Sequence, residues 1–364
     1  MNIFTKILLF PIAVIYGAII TFRNWLYKTN FIGSTDFEIP VISVGNLSVG
    51  GTGKTPFIEL LIETIAQQYP IGVLSRGYKR KTSGYREVQI NSTSLEVGDE
   101  PLMLKLKYPN VFVSVGEQRV IAIPQMLSTH PYIKTILLDD AFQHQSVRPD
   151  INILLTTYHK PFYEDLILPL GTLREFKSGK VRANIIVVTK CPSDLSEQEQ
   201  ATIIKKIAPT TTQKIFFSSI EYGVPYHILQ PEEHYFFDKN QPEVLITGIA
   251  NATSLLSFLA NKTADIIHYD FPDHHYFEIK ELENIKQQYP DNKRWFCTEK
   301  DGVRLASHKD WLIANGISLY CIPIKTRIIG NGASDFNNTI KGFLSYYYKD
   351  DTDVAEDKSI EAVD

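Results

Sequence analysis

A glycine-rich octapeptide, SVGGTGKT, near the start of the chain carries the residue types that hold phosphate groups. Its glycines let backbone N–H groups turn inward around phosphate oxygens, and a helix that follows adds a partial positive charge. Lys54 would reach the β- and γ-phosphates of a nucleotide such as ATP, and the Thr55 hydroxyl would bind Mg²⁺. The predicted nucleotide-binding residues are Ser48, Val49, Gly50, Gly51, Thr52, Gly53, Lys54 and Thr55.

The surroundings of this loop decide between the nucleotide site and its alternatives. The usual pattern has glycine where this chain has Ser48, so a plain glycine-rich connection between a strand and a helix is one alternative. The apolar run IPVIS before the loop and the helically spaced TPFIELLIETI after it favour the nucleotide site. Membrane-associated ATPases of the deviant Walker type have a lysine in place of Val49, which counts against an ATP-driven switch.

Adjacent carboxylates, Asp139 and Asp140, follow the apolar run TILL. At the end of a buried strand, one of them can hold Mg²⁺ directly or through water, while the other faces a substrate or a second metal ion. The alternative is that they only cap the next element. This pair is the predicted metal-binding counterpart of the glycine loop.

Two further segments carry residues that could take a proton from a hydroxyl group. GDEP places Asp99 and Glu100 in a predicted loop, and PDHH places Asp273 and His274 in a second domain. An Asp–His pair across a domain cleft can share such a proton transfer, although single Asp–His pairs are more often structural. Lys300 stands on a predicted strand–helix turn and is a candidate for lining the cleft.

The strands and helices that must position these residues are predicted to form an α/β fold. Short continuous apolar runs, separated by helical or loop stretches, are typical of parallel sheets covered by helices. We predict two α/β/α domains, the first like a P-loop NTPase, with a β-rich linker and an N-terminal membrane-anchoring helix. The predicted boundaries are 1–28 for the anchor, 29–211 for the P-loop domain, 212–243 for the linker, 244–348 for the smaller domain and 349–364 for an acidic, disordered tail.

The N-terminal apolar run from Ile7 to Phe22 predicts attachment to a membrane. It is shorter than the ~20 residues of a perpendicular span, and Pro11 and Gly17 would weaken a simple helix. Trp25 and neighbouring basic residues fit the headgroup level of a bilayer. A buried core helix is the alternative, and the absence of a small-residue cleavage site makes a secretory signal a weaker one.

Composition adds limits on compartment and partners. The three cysteines are widely spaced, which indicates reduced thiols rather than disulfides or a metal site. The net charge is −4, but without the tail 349–364 the chain has 35 basic and 34 acidic residues. This near-neutral body gives no electrostatic case for binding nucleic acid. No obligate protein partner is evident.

In order along the chain, the motifs resemble those of one family, tetraacyldisaccharide 4′-kinase, the lipid A 4′-kinase of Gram-negative envelopes. The matching segments are SVGNLSVGGTGKTP, LSRGY, GDEP, LDDAFQH, LPLGTLRE, DHH and TEKD. Two segments differ from the family's usual sequence. In LDDAFQH, Ala141 stands where the family often has glycine, and LPLGTLRE differs from the family's usual residues at this motif.

This resemblance implies transfer of the γ-phosphate of ATP to the 4′-hydroxyl of an acylated glucosamine disaccharide 1-phosphate, on the cytoplasmic face of the inner membrane. It implies a glycolipid substrate and contact with membrane lipids, with ATP and Mg²⁺ as cofactors. Asp99 would be the catalytic carboxylate, with His274 as its partner and Asp273 in support. Further candidates are Glu100, Asp139 and Asp140 for metal or substrate, and Arg76, Arg119, Arg174 and Arg182 for the anionic substrate.

Two alternatives remain open from the sequence. One is a membrane-associated P-loop NTPase that acts as a switch and recruits partners, and the other is a soluble small-molecule kinase whose N-terminus is a core helix. A switch would hydrolyse ATP equally well with and without the acylated disaccharide.

Overall fold

The computed structural model describes residues 3–348, so the predicted acidic tail at 349–364 lies outside the described residues. The described chain forms two compact units, each built from parallel strands and helices. Unit 1 contains residues 3–76, 111–220 and 326–348, and unit 2 contains residues 77–110 and 221–325.

Helices and strands alternate along most of the chain. The helices are α1 (Ile3–Lys28), α2 (Lys54–Ile65), α3 (Ser94–Val97), α4 (Asp99–Lys107), α5 (Arg119–Thr129), α6 (Glu197–Ile207), α7 (Thr253–Leu259), α8 (Ile279–Gln288), α9 (Glu299–Leu305), α10 (Lys309–Ala314) and α11 (Gly332–Tyr347). The strands are β1 (Val41–Asn46), β2 (Ile71–Ser75), β3 (Arg86–Glu87), β4 (Phe112–Val115), β5 (Thr135–Asp139), β6 (Ile151–Thr157), β7 (Ile185–Thr189), β8 (Lys214–Tyr222), β9 (Tyr226–His227), β10 (Pro242–Thr247), β11 (Asp265–Asp270), β12 (Arg294–Thr298), β13 (Ser318–Ile322) and β14 (Ile324–Ile328). Short 3₁₀ helices span Phe162–Glu164, Lys177–Arg182 and Ala306–His308.

A parallel sheet with the strand order β8-β7-β6-β1-β5-β2-β4 forms the centre of unit 1. Every residue of β1, β2, β5 and β7 is buried, which explains why these strands are continuous apolar runs rather than alternating ones. In the register of β1 and β5, Val44 lies beside Asp139. The loops that leave β1 and β5 therefore start at the same edge of the sheet, where ligands of open α/β sheets bind.

Unit 2 contains a second sheet, with the order β11-β10-β12-β13-β9. The first four strands are parallel, and β9 runs antiparallel to β13. Helix α4 packs against α9, which follows β12 directly. The predicted α/β class with parallel sheets is confirmed in both units.

The two units divide the chain differently from the predicted domains. Residues 77–110, which the sequence assigns to the first domain, belong to unit 2 because α4 packs on α9. Helix α11 belongs to unit 1, where the Phe336 ring makes edge contacts with Phe57 and Phe216. Strand β8 pairs in parallel with β7 and so extends the sheet, although the sequence places it in a linker. Contacts between residues far apart in the chain decide these assignments.

Helix α1 is one continuous helix of 26 residues that contains Pro11. Of the described residues, it is the only helix long and apolar enough to cross a membrane, judged by length and composition. Only its small residues Ala13 and Gly17 are buried. Large apolar side chains on its other faces are exposed, for example Phe4 at 79% and Leu8 at 75%.

Candidate active site

The glycine loop of unit 1 lies between the end of β1 and the start of α2 at Lys54. Gly50 and Gly53 have φ values of 108° and 84°, a region that other residues rarely adopt. A Cβ atom added at Gly50, Gly51 or Gly53 would meet no atom within 4 Å, so the space around the loop is open. The loop therefore has the backbone shape and the free volume that a phosphate group requires.

Side chains at the ends of two strands of the sheet, β1 and β7, hold this loop in place. Asn46, at the end of β1, donates a hydrogen bond of 2.9 Å to the Thr52 hydroxyl. The Thr189 hydroxyl, at the end of β7, donates to the Thr52 carbonyl at 2.8 Å. The next residue, Lys190, donates from Nζ to the Gly51 carbonyl, also at 2.8 Å. Burial, followed by the charge of Lys54, lowers the pKa of Lys190. The sequence analysis missed Thr189 and Lys190, because their proximity to the loop depends on the strand order.

Asp140 lies beside the loop and carries two cationic partners. Nζ of Lys54 is 3.7 Å from Oδ1 of Asp140. The Arg174 guanidinium binds both carboxylate oxygens, at 3.0 and 3.3 Å. Burial acts to raise the pKa of Asp140, but the charges of Lys54 and Arg174 outweigh it, so the pKa is lowered. Asp140 is thus held ionised next to the lysine of the glycine loop.

Asp139 is buried at the end of β5, where it accepts a hydrogen bond of 3.2 Å from the Ser75 hydroxyl. Its backbone carbonyl accepts from Arg119 at 3.2 Å, and Arg119 also donates to the Gly116 carbonyl. Arg119 is only 1% exposed, and burial lowers its pKa to about 10. This position speaks against the predicted contact of Arg119 with substrate, since its guanidinium is used inside the protein.

The remaining arginine candidates have different surroundings. Arg182 donates to Glu175 at 2.7 Å and stacks over the Phe142 ring. Arg76, just after β2, is exposed, and within residues 3–348 it has no hydrogen bond or ion pair. Arg174 is partly exposed beside Asp140, as described above. The structure therefore brings Arg174 to the glycine loop and leaves Arg76 available to a ligand.

The oxygen atoms near the loop fit Mg²⁺. Mg²⁺ in phosphoryl-transfer sites is usually held by one or two protein ligands, several waters and the substrate phosphates. Thr55 lies in the first turn of α2, and Asp139 and Asp140 leave the adjacent strand. Within the described residues there is no group of three or more His, Cys, Asp or Glu side chains that could hold a metal alone. Such a site would need the nucleotide to complete it. Glu100, the fourth predicted metal ligand, belongs to unit 2.

In unit 2, Asp99 and His274 form a direct contact, with Nδ1 of His274 3.0 Å from Oδ2 of Asp99. Asp99 is the first residue of α4, so GDEP begins a helix and is not the predicted loop. His274 has a φ of 61°, and its backbone N–H donates to the Gly248 carbonyl at 3.0 Å. Both residues lie in the same unit, so the predicted pairing across two domains is wrong, although the pairing itself is observed.

Lys300, in the first turn of α9, contacts the second ring nitrogen of His274, Nε2. Its Nζ is 3.0 Å from Nε2 of His274 and 2.9 Å from Glu100, with Asp273 at 3.7 Å. Because a lysine ammonium only donates hydrogen bonds, Nε2 must accept and Nδ1 must carry the proton. His274 therefore donates from Nδ1 to Asp99. Glu100 is engaged with Lys300, and Asp273 lies next to the same ammonium group.

Arg304 contacts the same oxygen of Asp99 that His274 contacts. Its Nε is 3.5 Å from Oδ2 of Asp99, and its other nitrogens donate to Asp301 and to the carbonyls of Gly248 and His275. Asp301 is fully buried and accepts from the Gly248 N–H at 3.0 Å, and burial raises its pKa despite the charge of Arg304. The sequence analysis missed Arg304, although an arginine among apolar helical positions is a signal for a buried ion pair.

A cavity in unit 2 opens onto Asp99 and His274. Its walls are formed by Tyr78, Lys79, Ser94, Leu95, Asp99, His274, Tyr276 and Arg304. The Tyr78 ring makes an edge contact with the His274 ring, with centroids 5.1 Å apart. Oδ2 of Asp99 faces His274 and Arg304, while Oδ1 has no hydrogen-bond partner within residues 3–348. Asp99 thus has one oxygen held by the protein and one available to an incoming hydroxyl group.

The other histidine of the DHH segment has a separate role. Nε2 of His275 lies 2.9 and 3.0 Å from the two oxygens of Glu281. It also stacks on the Phe271 ring, with centroids 4.6 Å apart. His275 is therefore a structural residue of unit 2, next in sequence to His274 but not part of the pair with Asp99.

Comparison with known proteins identifies the family. A family model described as tetraacyldisaccharide-1-P 4′-kinase (LpxK) matches residues 5–344. The tetraacyldisaccharide 4′-kinase of Flavobacterium johnsoniae is 42% identical over 344 residues, which cover 94% of this chain and 98% of the relative. The enzyme of the same name from Bacteroides thetaiotaomicron is 40% identical over 352 residues, 92% of each chain.

The fold is also similar to a solved structure. The crystal structure of LpxK from Aquifex aeolicus in complex with ATP gives a TM-score of 0.73 at 27% sequence identity, covering 93% of this chain and 99% of that one. These matches confirm the predicted fold class, the predicted resemblance and the predicted enzyme class, a kinase. The chain belongs to the tetraacyldisaccharide 4′-kinase family.

Proposed function

We propose that this chain transfers the γ-phosphoryl group of ATP to the 4′-hydroxyl of tetraacyldisaccharide 1-phosphate, forming lipid IVA in lipid A biosynthesis. The observation that carries the proposal is the open glycine loop that ends at Lys54, 3.7 Å from Asp140, in a chain of this family. The ATP complex of the Aquifex aeolicus relative supports ATP as the donor.

In the reaction we propose, the 4′-oxygen forms a bond to the γ-phosphorus, and the bond between that phosphorus and the bridging oxygen of ADP breaks. Backbone N–H groups of residues 48–55 and the Lys54 ammonium group would bind the phosphates and stabilise the charge that develops on them. Mg²⁺, held by Thr55 with Asp139 or Asp140, would supply further neutralisation of the β- and γ-phosphates.

The hydroxyl proton would pass to Oδ1 of Asp99. His274 donates to Oδ2 from Nδ1, so the carboxylate is oriented with its other oxygen free for the acceptor. With Lys300 on its Nε2, His274 cannot itself take the proton in this arrangement. Asp99 is thus the proposed base, with His274 orienting it and Asp273 and Glu100 acting through Lys300. Arg76 and Arg174 are the proposed contacts to anionic groups of the substrates.

We also propose that α1 attaches the enzyme to the cytoplasmic face of the inner membrane. The exposed apolar side chains of α1 cover most of its circumference, which suits the hydrocarbon region of a bilayer better than water. The acyl chains of the acceptor keep it in the membrane, whereas ATP is dissolved in the cytosol. An enzyme fixed at the interface can bind both without removing the lipid fully into water.

The test is transfer of label from γ-labelled ATP to purified tetraacyldisaccharide 1-phosphate in mixed micelles. We expect label in the glycolipid, no label in a 4′-deoxy analogue, and no transfer by the Lys54→Met variant. ATP hydrolysis at the same rate with and without acceptor, and no labelled glycolipid, would overturn the proposal in favour of a nucleotide-dependent switch.

A further inference from the structure

A short segment of unit 1, residues 172–176, lies beside residues 47–49, where the chain enters the glycine loop. The N–H group of Val49 donates to the Thr172 carbonyl at 2.8 Å, and the N–H group of Arg174 donates to the Leu47 carbonyl at 2.7 Å. These two hydrogen bonds pair the segment with the loop in an antiparallel way, and Ser48 bridges Leu173 between them. Any displacement of this segment therefore displaces the start of the loop.

The same segment contacts α1. The Tyr16 hydroxyl donates to the Arg174 carbonyl at 2.8 Å, and the Asn24 amide donates to Oε2 of Glu175 at 2.9 Å. Between these two contacts, Gly17 meets the Phe176 ring so closely that an added Cβ would lie 2.7 Å from a ring carbon. Three successive residues of the segment thus each contact α1.

The contact at Glu175 lies at the centre of a buried polar network. Glu175 is 0% exposed, and its carboxylate also accepts from Arg182 at 2.7 Å and from Gln143 at 3.2 Å. Gln143 in turn donates to the carbonyl of Asn46, the last residue of β1. A buried carboxylate needs all of its donors, because an oxygen left without one keeps the full cost of lost hydration. Removal of Asn24 would therefore disturb groups that touch the glycine loop.

We propose that α1 is a structural part of the nucleotide site, and that its docking through Tyr16, Gly17 and Asn24 positions Arg174 and the glycine loop. The inference rests on the proposed function only in taking residues 48–55 as the ATP-binding loop. The helix then has two faces with separate tasks. Its exposed apolar face meets the membrane, while its face with small and polar residues positions the segment whose Arg174 holds Asp140.

One consequence is that docking of α1 and binding of the nucleotide favour each other. A helix that leaves the segment releases Arg174 and the loop entrance, and a nucleotide that needs them in place binds less tightly. Tyr16 and Asn24 are then positioning residues, which act on the phosphates through Arg174 and through the loop. Membrane attachment and nucleotide affinity become properties of one helix that substitutions can separate.

The first test compares Gly17→Leu with Ala18→Leu. Both substitutions add an apolar side chain to α1, but position 17 faces Phe176 whereas Ala18 is exposed. We measure binding of the β,γ-imido analogue of ATP with Mg²⁺ by full-length protein in detergent, and sedimentation with vesicles of phosphatidylethanolamine and phosphatidylglycerol. We expect Gly17→Leu to weaken analogue binding about tenfold, Ala18→Leu to leave it unchanged, and both to sediment like the unaltered protein.

A second pair of variants keeps the proposal testable if Gly17→Leu does not fold. Asn24→Ala removes the donor to Glu175 and should weaken analogue binding about tenfold, and Tyr16→Phe removes one hydroxyl and should weaken it about threefold. Thr21→Val is the control, because the Thr21 hydroxyl donates only within the helix, to the Gly17 carbonyl.

The outcomes separate the two proposals. Equal analogue affinity in Asn24→Ala, Tyr16→Phe and the unaltered protein would overturn the role of α1 and leave the kinase assignment intact. Absence of analogue binding in the unaltered, folded protein would instead overturn the nucleotide site. Weaker binding together with lost sedimentation in the Asn24→Ala variant would also contradict the inference, since it would indicate general unfolding of the helix.

Discussion

Nδ1 of His274 lies 3.0 Å from Oδ2 of Asp99, although 175 positions separate the two residues in the chain. The contact joins the first residue of α4 to a turn after β11, and both belong to unit 2. Each partner has a second support, Arg304 for Asp99 and Lys300 for His274. These contacts fix the orientation of both side chains. Oδ1 of Asp99 can therefore face an acceptor hydroxyl group, and the Asp99 side chain loses little conformational freedom when the acceptor binds.

Substitution of this pair should affect the chemical step rather than the nucleotide affinity. We expect Asp99→Asn to lower kcat by about 10²–10⁴, because the amide cannot accept the hydroxyl proton, while the affinity for the ATP analogue stays the same. His274→Gln should also lower kcat, and the double variant should be hardly worse than Asp99→Asn, since the residues act together. Single-turnover transfer of label to the glycolipid measures the step.

The matched control for the pair is His275→Gln. His275 is the next residue along the chain but binds Glu281, so its replacement should leave kcat within a small factor of the original value. An Asp99→Asn variant with near-normal kcat would show that another group accepts the proton.

Replacement of the loop lysine should abolish turnover. In the Lys54→Met variant the apolar stem remains but the ammonium group beside Asp140 is gone, and we expect kcat to fall by at least about 10². Lys205→Met removes the same charge from an exposed position in the last turn of α6 and should behave like the unaltered enzyme. If both variants lost activity equally, the effect would come from net charge and not from the site.

Arg304 should be important for the stability of unit 2. Arg304→Leu leaves Asp301, which is fully buried, without its cationic partner, and a buried charge left alone costs about 3–5 kcal/mol. Urea unfolding followed by tryptophan fluorescence measures the change in the free energy of unfolding, since Trp295 and Trp311 both lie in unit 2. Arg148→Leu is the control: that arginine and its partner Asp36 are both exposed, so the change should be about 1 kcal/mol or less.

His144 should contribute to acid sensitivity. Burial, followed by the charge of Arg119, lowers the pKa of His144 to about 4, from 6.5 for a free side chain. Between these values the unfolded chain binds a proton that the folded protein does not, so stability falls as the pH decreases from about 6.5 to about 4. In His144→Gln this contribution disappears, and Tm should fall less steeply over that range. Identical slopes for both proteins would contradict the assigned direction of the shift.

The local motifs were predictable from sequence because their chemistry is local. The glycine loop, its lysine and the helix that follows occupy adjacent positions, and the two carboxylates end a short apolar run that is typical of a buried strand. The apolar character of α1 also follows from composition alone, whereas the exposure of its side chains is a result of the structure. The α/β class follows from the same continuous runs, because strands covered on both faces typically have such sequences.

Sequence reasoning could not predict which residues far apart in the chain contact each other. The sequence does not show that α4 packs on α9, so it places residues 77–110 in the first predicted domain, whereas they belong to unit 2, and it predicts a loop at GDEP, where a helix begins. Lys300, Arg304, Thr189 and Lys190 acquire their partners only when strands and helices come together. Likewise, burial of Arg119 was invisible in a segment that reads as an ordinary helix start.

The sequence by itself determined which groups can bind phosphate, hold a metal ion and enter a membrane, because residue type and short spacing fix these abilities. Only the tertiary structure decided which of them meet, which oxygen of Asp99 remains free, and that Tyr16 and Asn24 of α1 contact the segment beside the glycine loop. The physical reason is that hydrogen bonds and burial act over a few ångströms in space, whereas the chain separates these partners by 100 residues or more.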